Sequence, residues 1–590
     1  MPDQPIPSAA APDAFDAAVA NAPQRSKFHT SLLLLLIVSL ALLLRLYWTT
    51  THAVVMTTEG ADYARQGENL LHGKGFRGIM GHQELLDPPG YAILIAGMTF
   101  LVRNSETATK VISLLFGVGL IVPLYFLCLR VYGRKTALFA AGLVAVHPIF
   151  VGLSSTAYSE TVYIPLVMLG IFFGLVATES NKIFESGMAG ICFACAYLTR
   201  QEAIAFLAIT GFWILFHGFL RRAARPAGLA FSAMILAFAL LASPYVIYLS
   251  VQTGHFRIEA KNGINYLIAK RQMEGIPHRV AAFGIDDNLN VQGPILDPNK
   301  FIDQTPSMGF LNLLRYARST AFENARLYFN GLLSNQFGSP FLLFLAFLGL
   351  FQKPWDVSRL LREAFLVGMF SYVIVMLLLA HMYQTRYCFI VLPFLTIWAA
   401  NGLAALVDWG TGTAATLVRG RLSPKLVGAT MAALAVACVV IVSARAIQSV
   451  SEFAWSEPAY LPVKIAGLWL RNYQPGPKSV MADACALPYY AGGTQIVFPV
   501  AEAALVLRYI EHKNPDFIVM YTHERSASRS IASWFDEGIP DPRAQLIYDN
   551  GLKGELAIRI YKWSKTHAEA VAPGRQEPRR LDRLGSPGAV

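Results

Sequence analysis

The chain has 590 residues, of which 54% are hydrophobic and only 15% are charged, and its mean hydropathy is +0.44. These values exclude an ordinary soluble domain and indicate an integral membrane protein. The formal net charge of +11 does not predict a nucleic-acid partner. Many of the basic residues lie in short loops between apolar runs, where they set the orientation of the chain in the membrane.

Apolar runs long enough to cross a bilayer as helices recur along the chain, and they lack the short alternating segments of a membrane barrel. We predict about eleven transmembrane helices, at Ser31–Trp48, Thr109–Arg130, Thr136–Leu153, Ser159–Thr178, Gly187–Leu198, Ala203–Phe219, Ala227–Leu249, Pro340–Phe351, Phe365–Met382, Tyr387–Val407 and Leu426–Val442. The predicted fold class is therefore a polytopic α-helical membrane protein.

Every second connection between these spans is basic, so the positive-inside rule places it in the cytoplasm. The residues concerned are Arg25, Lys27, Arg130, Arg134, Lys135, Lys182, Arg221, Arg222, Arg225, Lys353, Arg359, Arg362, Arg419, Arg421 and Lys425. The N-terminus is then cytoplasmic and most of the unusual polar residues share the other face. This assignment requires the apolar piece Tyr91–Val102 to lie along the membrane surface or to re-enter, because a further span would invert the later loops.

The domain boundaries follow from shifts in composition. Residues 1–27 and 566–590 are Pro/Ala/Arg-biased and are predicted to be disordered. Residues 28–448 form the helical membrane domain, with external loops at about 49–108 and about 250–339.

The pattern of apolar residues changes after the last predicted span. Within residues 449–565, short apolar runs of strand length alternate with helical stretches, which predicts a small α/β domain outside the membrane. The predicted strands are Lys478–Ala482, Asp516–Tyr521, Ala544–Tyr548 and Leu556–Trp563, and the predicted helices are Tyr460–Tyr473, Ala501–His512 and Ser526–Phe535. This domain has no dinucleotide fingerprint and the whole chain has no phosphate loop, so nucleotide-driven transport loses support.

The first external loop is the most informative stretch. Thr57–Tyr91 reads TTEGADYARQGENLLHGKGFRGIMGHQELLDPPGY, with acids, glycines, a helix-like Tyr63–Leu71 segment and a Pro-Pro-Gly-Tyr corner directly outside a span. Ionisable residues at a membrane face are candidates for function.

The order of motifs resembles that of the polytopic glycosyltransferases called GT-C. The likeness is carried by Glu59–Tyr63, Glu68–Phe76, Asp87–Tyr91, Arg130–Pro148, Ser159-Glu160, Leu198–Arg200, Arg386-Tyr387 and Leu392-Pro393. More narrowly, it resembles the bacterial branch of family 39, which is related to protein mannosyltransferases, lipid A aminoarabinose transferases and rhizobial lipopolysaccharide galacturonosyltransferases. The chain departs from that family at Glu59-Gly60, where Asp-Glu or Asp-Gly is common.

The resemblance implies transfer of a sugar from a polyprenyl phosphate, and a base at the acceptor hydroxyl assists such a reaction by about 10²–10⁴-fold. Glu59 is the candidate general base, and Asp62 and Glu160 are candidates for positioning substrate or an ion. Bland alternatives stay open: Asp62 would suit the cap of a helix over Asp62–Leu71, and Glu160 would suit a helix N-terminus.

Fixed cations stabilise the negative charge that builds on a departing lipid phosphate. Arg200 and Arg386, with Tyr387 beside it, are the candidate donor-binding residues, and Lys261 adds a further phosphate contact. The alternatives are arginines that snorkel to the membrane interface and a solvated basic face around Lys261.

The sequence therefore predicts an enzyme of the bacterial inner membrane with its terminal domain in the periplasm. Its partners would be a polyprenyl-phosphate sugar donor, a glycolipid, lipopolysaccharide or protein acceptor, and the lipid bilayer. A lipid-linked-glycan transporter and a non-catalytic scaffold are the alternatives. No cofactor is identified, and a divalent cation held by Glu59 or Asp62 with Glu160 is left open.

Overall fold

A computed structural model describes residues 24–304, 310–333, 340–352, 355–380, 384–417, 423, 426–434, 436–437, 440, 458–522, 529–552 and 556–565. Several sequence predictions lie outside these ranges. They concern most of the two terminal segments, part of the span Leu426–Val442, and the side chains of Arg25, Lys27, Lys353, Arg419, Arg421 and Lys425.

The first half of the membrane part is helical. In chain order its helices are α1 (Gln24–Thr51), α2 (Thr58–Leu71), α3 (Gly90–Val102), α4 (Ser105–Gly119), α5 (Ile121–Val131), α6 (Arg134–Val146), α7 (Pro148–Leu153), α8 (Glu160–Ser180), α9 (Ile183–Tyr197), α10 (Ala203–Leu220) and α11 (Ala224–Thr253). Helices α2 and α3 belong to the first external loop.

The long external loop and the later spans follow. They contain α12 (Lys261–Met273), α13 (His278–Phe283), α14 (Pro298–Phe301), α15 (Phe310–Leu333), α16 (Pro340–Leu350), α17 (Val357–Leu378), a 3-10 segment over Thr385–Ile390, and α18 (Val391–Leu417).

Seven helices in the described part of the chain are long and apolar enough to cross a membrane, which confirms a multi-pass membrane protein. They coincide with predicted spans and are His29–Thr51, Ser105–Val131, Glu160–Ser180, Ala203–Leu220, Ala224–Thr253, Val357–Leu378 and Thr385–Thr413. The predicted spans Gly187–Leu198 and Pro340–Phe351 correspond to the shorter helices α9 and α16. Helix α3 has only 13 residues and is likewise too short to cross a bilayer unaided.

The predicted span Thr136–Leu153 is wrong as one continuous helix, because α6 ends at Val146 and α7 begins at Pro148. Proline disfavours a helical residue before it and has no N–H to donate to the carbonyl of Val144. The buried side chain of Arg45 supplies the missing donors: its guanidinium donates to Val144 O at 2.9 Å and to Ala145 O at 3.0 Å. Arg45 in α1 thus compensates for the break.

The C-terminal domain is an α/β unit, as predicted. Its elements are α19 (Leu461–Tyr473), β1 (Ser479–Met481), α20 (Ala486–Tyr490), β2 (Thr494–Ile496), α21 (Ala503–Lys513), β3 (Phe517–Tyr521), α22 (Trp534–Glu537), β4 (Ala544–Asp549) and β5 (Ile558–Trp563). The sheet order is β2-β1-β3-β5-β4, with β1 parallel to β2 and β3, and with β5 antiparallel to β3 and β4.

This domain differs from the sequence prediction at three points, one of which is the short helix α20, which was not predicted. Strand β2 was not predicted, because three residues between turns carry no usable alternation. The predicted helix Ser526–Phe535 is replaced in its described part by a 3-10 turn over Arg529–Ile531 and the short helix α22.

The C-terminal domain packs on the first external loop. Met56 N donates to the Tyr490 hydroxyl at 3.0 Å, and Lys464 Nζ lies 2.9 Å from both carboxylate oxygens of Glu106. Gln495 N also donates to Ile79 O at 3.0 Å. These contacts hold the loop that carries Glu59 against the C-terminal domain.

Candidate active site

A cavity of about 450 Å³ opens between the ends of the membrane helices and the long external loop. One part of its wall is polar and charged, and the opposite part is apolar. The lining residues are Glu160, Tyr163, Arg200, Gln201, Glu202, Lys261, Asn262, Asn265, Tyr266, Tyr316, Tyr372, Val375, Met376, Leu377, Leu379, Ala380, Arg386, Tyr387 and Ile390. Five residues that were predicted from sequence, Glu160, Arg200, Lys261, Arg386 and Tyr387, therefore share one cavity.

Arg200 lies between two carboxylates in the polar wall. Its Nη1 is 2.7 Å from Glu160 Oε1, and its Nη2 is 3.2 Å from Glu202 Oε1. Glu160 is the first residue of α8, where the positive end of the helix dipole also favours a carboxylate. Burial alone would raise the pKa of Glu202, but Arg200 holds it below its ordinary value.

Glu59 contacts residues of the polar wall but does not itself line the cavity. It lies in the first turn of α2, where one carboxylate oxygen pairs with Arg386 Nη1 and the other accepts from Ser159 Oγ at 2.8 Å. Ser159 also accepts from Arg200 Nη1 at 3.3 Å. A short polar network therefore connects Glu59 with both arginines.

Arg386 is held on several sides at the cavity. Its Nε donates to Gln384 Oε1 at 2.8 Å, and its guanidinium carbon lies 5.7 Å from the ring centroids of Tyr158 and Tyr387. Flanking aromatic rings and a paired carboxylate fix a planar guanidinium well. The Arg386 side chain therefore separates Glu59 from the cavity.

Lys261 reaches the cavity from the start of α12. Its Nζ is 2.6 Å from Asp87 Oδ1 in the Pro-Pro corner of the first loop. Burial would lower the pKa of this ammonium, but Asp87 raises it above its ordinary value. Asp87 thus orients a cation, a role that its sequence context did not predict.

Asp62 is directed away from the cavity. Helix α2 begins at Thr58, and Thr57 caps it by accepting from Gly60 N at 3.1 Å, so the expected helix start at Asp62 and its capping role are wrong. Asp62 instead accepts from Ile79 N at 2.6 Å and from Gln66 Nε2 at 2.8 Å. The three-residue spacing from Glu59 does not bring the two carboxylates to common partners.

Asp62, Gln66 and Glu84 form a buried polar cluster inside the first loop. Gln66 Nε2 lies 2.8 Å from Asp62 Oδ2 and 3.5 Å from Glu84 Oε2. Burial, with the nearby charges of Asp87 and Asp62, raises the pKa of Glu84 to about 8, and burial also raises the pKa of Asp62. At neutral pH the cluster therefore retains a proton on Glu84.

The raised pKa of Glu84 predicts that the protein loses stability as the pH rises. Between its ordinary pKa of 4.5 and about 8, the folded protein keeps a proton that the unfolded chain releases. Each pH unit in that window lowers the free energy of unfolding by up to about 1.4 kcal/mol. We expect thermal unfolding to occur at a lower temperature at pH 8 than at pH 6, and Glu84→Gln to reduce this difference. Equal shifts in the wild type and the variant would contradict the assignment.

Sequence reasoning missed other polar residues of the wall. Glu202, Asn262 and Asn265 line the cavity, and the Tyr372 hydroxyl donates to Glu202 O at 3.1 Å. Glu202 follows the Leu198–Arg200 motif by two residues, which was the available signal. The asparagines of α12 carry no motif, and only the fold brings them to the cavity.

The three predicted carboxylates do not form a cation site. Glu59 pairs with Arg386, Asp62 with Ile79 N and Gln66, and Glu160 with Arg200. Within the described ranges, no three His, Cys, Asp or Glu side chains lie together as metal ligands. Because hard divalent cations take six or more oxygen ligands, these residues do not fit a divalent ion.

Part of the chain matches a known protein family. Residues 87–248 match the family model of dolichyl-phosphate-mannose-protein mannosyltransferases, a stretch that contains Asp87, Glu160, Arg200 and Glu202. No curated protein matches the sequence significantly.

Solved structures share the fold across most of the chain. The oligosaccharyltransferase of Archaeoglobus fulgidus in its apo form superimposes with a TM-score of 0.58 at 14% identity, covering 92% of this chain and 75% of that one. ArnT of Cupriavidus metallidurans bound to undecaprenyl phosphate gives 0.53 at 13% identity, covering 91% and 99%. These likenesses confirm the predicted GT-C resemblance at the level of fold.

Proposed function

We propose that this chain, a multi-pass membrane protein with the GT-C fold, is a glycosyltransferase that moves a sugar from a polyprenyl-phosphate donor to an acceptor outside the cytoplasm. The observation that carries the proposal is the composition of the cavity wall. Arg200, Lys261 and Arg386 line its polar part, and residues of α17 and the 3-10 segment line its apolar part. A phosphate attached to a long hydrocarbon requires this combination.

The charges of the wall support a phosphate site. Three cations line the cavity with two carboxylates, Glu160 and Glu202. Arg200 is already shared between these two carboxylates, so Lys261 and Arg386 are the cations best placed to meet an incoming phosphate. Their partners Asp87 and Glu59 approach from outside the set of lining residues.

The apolar wall supports a lipid-linked substrate. It comprises Val375, Met376, Leu377, Leu379, Ala380 and Ile390, which lie where α17, a helix long enough to span the membrane, ends. A prenyl chain lying along this wall would pass directly from the cavity to the bilayer. ArnT of Cupriavidus metallidurans, which shares the fold, has been crystallised with undecaprenyl phosphate.

We assign the general base to Glu59. Its carboxylate is paired with Arg386, and a paired carboxylate is a poor proton acceptor. When a donor phosphate attracts the Arg386 guanidinium, one oxygen of Glu59 is released while the other still accepts from Ser159. The base then becomes available only when the donor is bound.

The reaction balances without a further reactant. The acceptor oxygen attacks the anomeric carbon, the bond from that carbon to the phosphate oxygen breaks, and the acceptor proton passes to Glu59. The electron pair of the broken bond leaves on the polyprenyl phosphate, where Lys261 and Arg386 stabilise the charge. Glu160 and Arg200, which are connected to Glu59 through Ser159, position the sugar.

The compartment is proposed from the distribution of basic residues. The positive-inside rule supports a position of the cavity, the long loop and the C-terminal domain outside the cytoplasm, on the periplasmic face of the proposed bacterial inner membrane. The acceptor would be a glycolipid, such as lipopolysaccharide, or a protein on that face. In proteins of this architecture, loops above a rigid scaffold determine such specificity.

Lipid binding tests the cavity directly. Purified protein is expected to bind undecaprenyl phosphate at least about tenfold more tightly than undecaprenol, because hydrogen bonds to charged groups contribute about 1.5–3 kcal/mol each. Lys261→Gln and Arg386→Gln should each reduce this preference about tenfold or more, as measured by native mass spectrometry. Lys270→Gln on the same helix is the matched control, since Lys270 is an exposed residue 3.9 Å from Glu274. Equal binding of the two lipids by the wild type would contradict the assignment.

A further inference from the structure

Helix α15 exposes large apolar side chains. Phe322, Phe329 and Leu333 are 81%, 60% and 47% exposed, whereas the face that packs on the protein contains Tyr316, Asn324 and Tyr328, all of them buried. In a helix that lies between protein and water, the apolar face is the one that packs inward. The arrangement in α15 is the reverse, so its outer face meets something other than water.

Basic residues share this outer face. Arg315, Phe322 and Phe329 recur every seven residues and therefore lie on one side of the helix. Arg318 and Arg326 lie four residues to either side of Phe322, and Arg315, Arg318 and Arg326 are exposed. The helix has too many charged and polar residues to span a membrane and is not among the candidate spans. Long arginine side chains beside apolar ones can reach back to the lipid headgroups while the apolar groups insert, which suits a helix that lies in a membrane interface.

The buried face fixes the depth of α15 relative to the bilayer. Asn324 Nδ2 donates to Leu378 O at 3.0 Å and to Ala380 O at 2.8 Å, and the Tyr316 hydroxyl donates to Leu379 O at 2.9 Å. These carbonyls lie at the C-terminal end of α17, which is long and apolar enough to span the membrane. The end of a spanning helix lies at the membrane–water interface, and α15 is fastened there.

We propose that α15 lies in the membrane–water interface on the side of the bilayer away from the cytoplasm. Phe322, Phe329 and Leu333 insert among the acyl chains. Arg315, Arg318 and Arg326 bind the headgroups of anionic phospholipids. Charge complementarity selects an anionic lipid surface over a protein partner, because three exposed guanidiniums surround the phenylalanines and each contributes about 1 kcal/mol near such a surface. Tyr316 of the same helix also lines the cavity. This inference does not depend on the proposed reaction.

Spin-label accessibility tests the inserted face. The full-length protein, with its six cysteines replaced, is reconstituted as single copies in nanodiscs and labelled at Phe322→Cys, Phe329→Cys or the control Asn330→Cys. Asn330 is exposed and lies about 100° around the helix from Phe329. We expect the labels at 322 and 329 to be several-fold more accessible to molecular oxygen than to a water-soluble nickel chelate, and the label at 330 to show the opposite preference.

Two results would overturn the insertion. Access of the nickel chelate at 322 equal to that at 330 would place the outer face in water. Protection of 322 from both reagents would mean that protein, such as another segment of the chain, covers the face. Because no activity is measured, failure here leaves the proposed reaction untouched.

The lipid headgroups are tested by changing the nanodisc composition. With about 30% phosphatidylglycerol in phosphatidylcholine, the label at 329 should lie deeper than in phosphatidylcholine alone, because the arginines draw the helix toward anionic headgroups. The triple variant Arg315→Gln/Arg318→Gln/Arg326→Gln should lose this dependence. Anionic-lipid recognition would be refuted if the depth of the label at 329 in the wild type were the same with and without phosphatidylglycerol. It would also be refuted if the triple variant still moved deeper when phosphatidylglycerol is added.

Discussion

Glu59→Gln is expected to lower the turnover number for sugar transfer by about 10²–10⁴-fold, the range that a general base contributes. Glutamine keeps the oxygen that accepts from Ser159 but cannot accept the proton of an acceptor hydroxyl. The donor KM should stay unchanged or fall, since Arg386 loses the carboxylate that competes with the donor phosphate. Initial rates at varied donor concentration measure both parameters.

Glu68→Gln is the matched control for this experiment. Glu68 lies on the same helix, α2, but contacts Arg65 and Ser105 rather than residues of the cavity. We expect this variant to transfer sugar at a rate within about threefold of the wild type, because surface substitutions usually change little. A Glu59→Gln enzyme that loses only donor affinity, with its turnover number intact, would make Glu59 a positioning residue for Arg386.

Arg200→Gln is expected to abolish transfer and also to destabilise the protein by about 3–5 kcal/mol, the usual effect of removing one partner of a buried pair. The variant leaves Glu160, which is 4% exposed, without its cation at 2.7 Å. The double variant Glu160→Gln/Arg200→Gln removes this unpaired charge. Glu202 still lacks Arg200 in this variant, but its side chain is 31% exposed. The double variant should therefore regain part of the lost stability and remain inactive, which separates the structural effect from the functional one.

Thermal unfolding and transfer rate are measured on the four proteins of this double-mutant cycle, which are the wild type, Glu160→Gln, Arg200→Gln and the double variant. Arg257→Gln serves as the control for loss of an arginine, because its partner Asp303 is 57% exposed and such pairs contribute about 1 kcal/mol or less. If the double variant stays as unstable as Arg200→Gln, the two side chains are not coupled through their charges. If it transfers sugar at the wild-type rate, Arg200 and Glu160 have no part in the reaction.

Much of the fold was accessible from sequence because membrane helices and strands leave strong local signals. Length and apolarity alone located the seven helices that are long enough to span the membrane. The break before Pro148 was not foreseen, since tolerance of a proline depends on a distant donor. That donor, Arg45, lies about a hundred residues away in the chain.

The candidate site was accessible only in part. Motifs and charge drew attention to Arg200, Arg386 and Lys261, which line one cavity in the structure. The direction of Asp62 could not be deduced, because it depends on the backbone N–H of Ile79, which a later turn brings to it. Helical spacing defines a face but does not identify what that face meets.

Sugar transfer from a polyprenyl phosphate is tested by offering purified wild-type protein in nanodiscs a panel of radiolabelled polyprenyl-phosphate sugars together with bacterial membrane extract. We expect at least one donor to lose its label to a lipid or protein acceptor. One polyprenyl phosphate should be released per sugar transferred, without any requirement for a nucleotide sugar. Absence of transfer from every polyprenyl-phosphate donor, by protein that binds undecaprenyl phosphate and remains folded, would contradict the assignment of a glycosyltransferase.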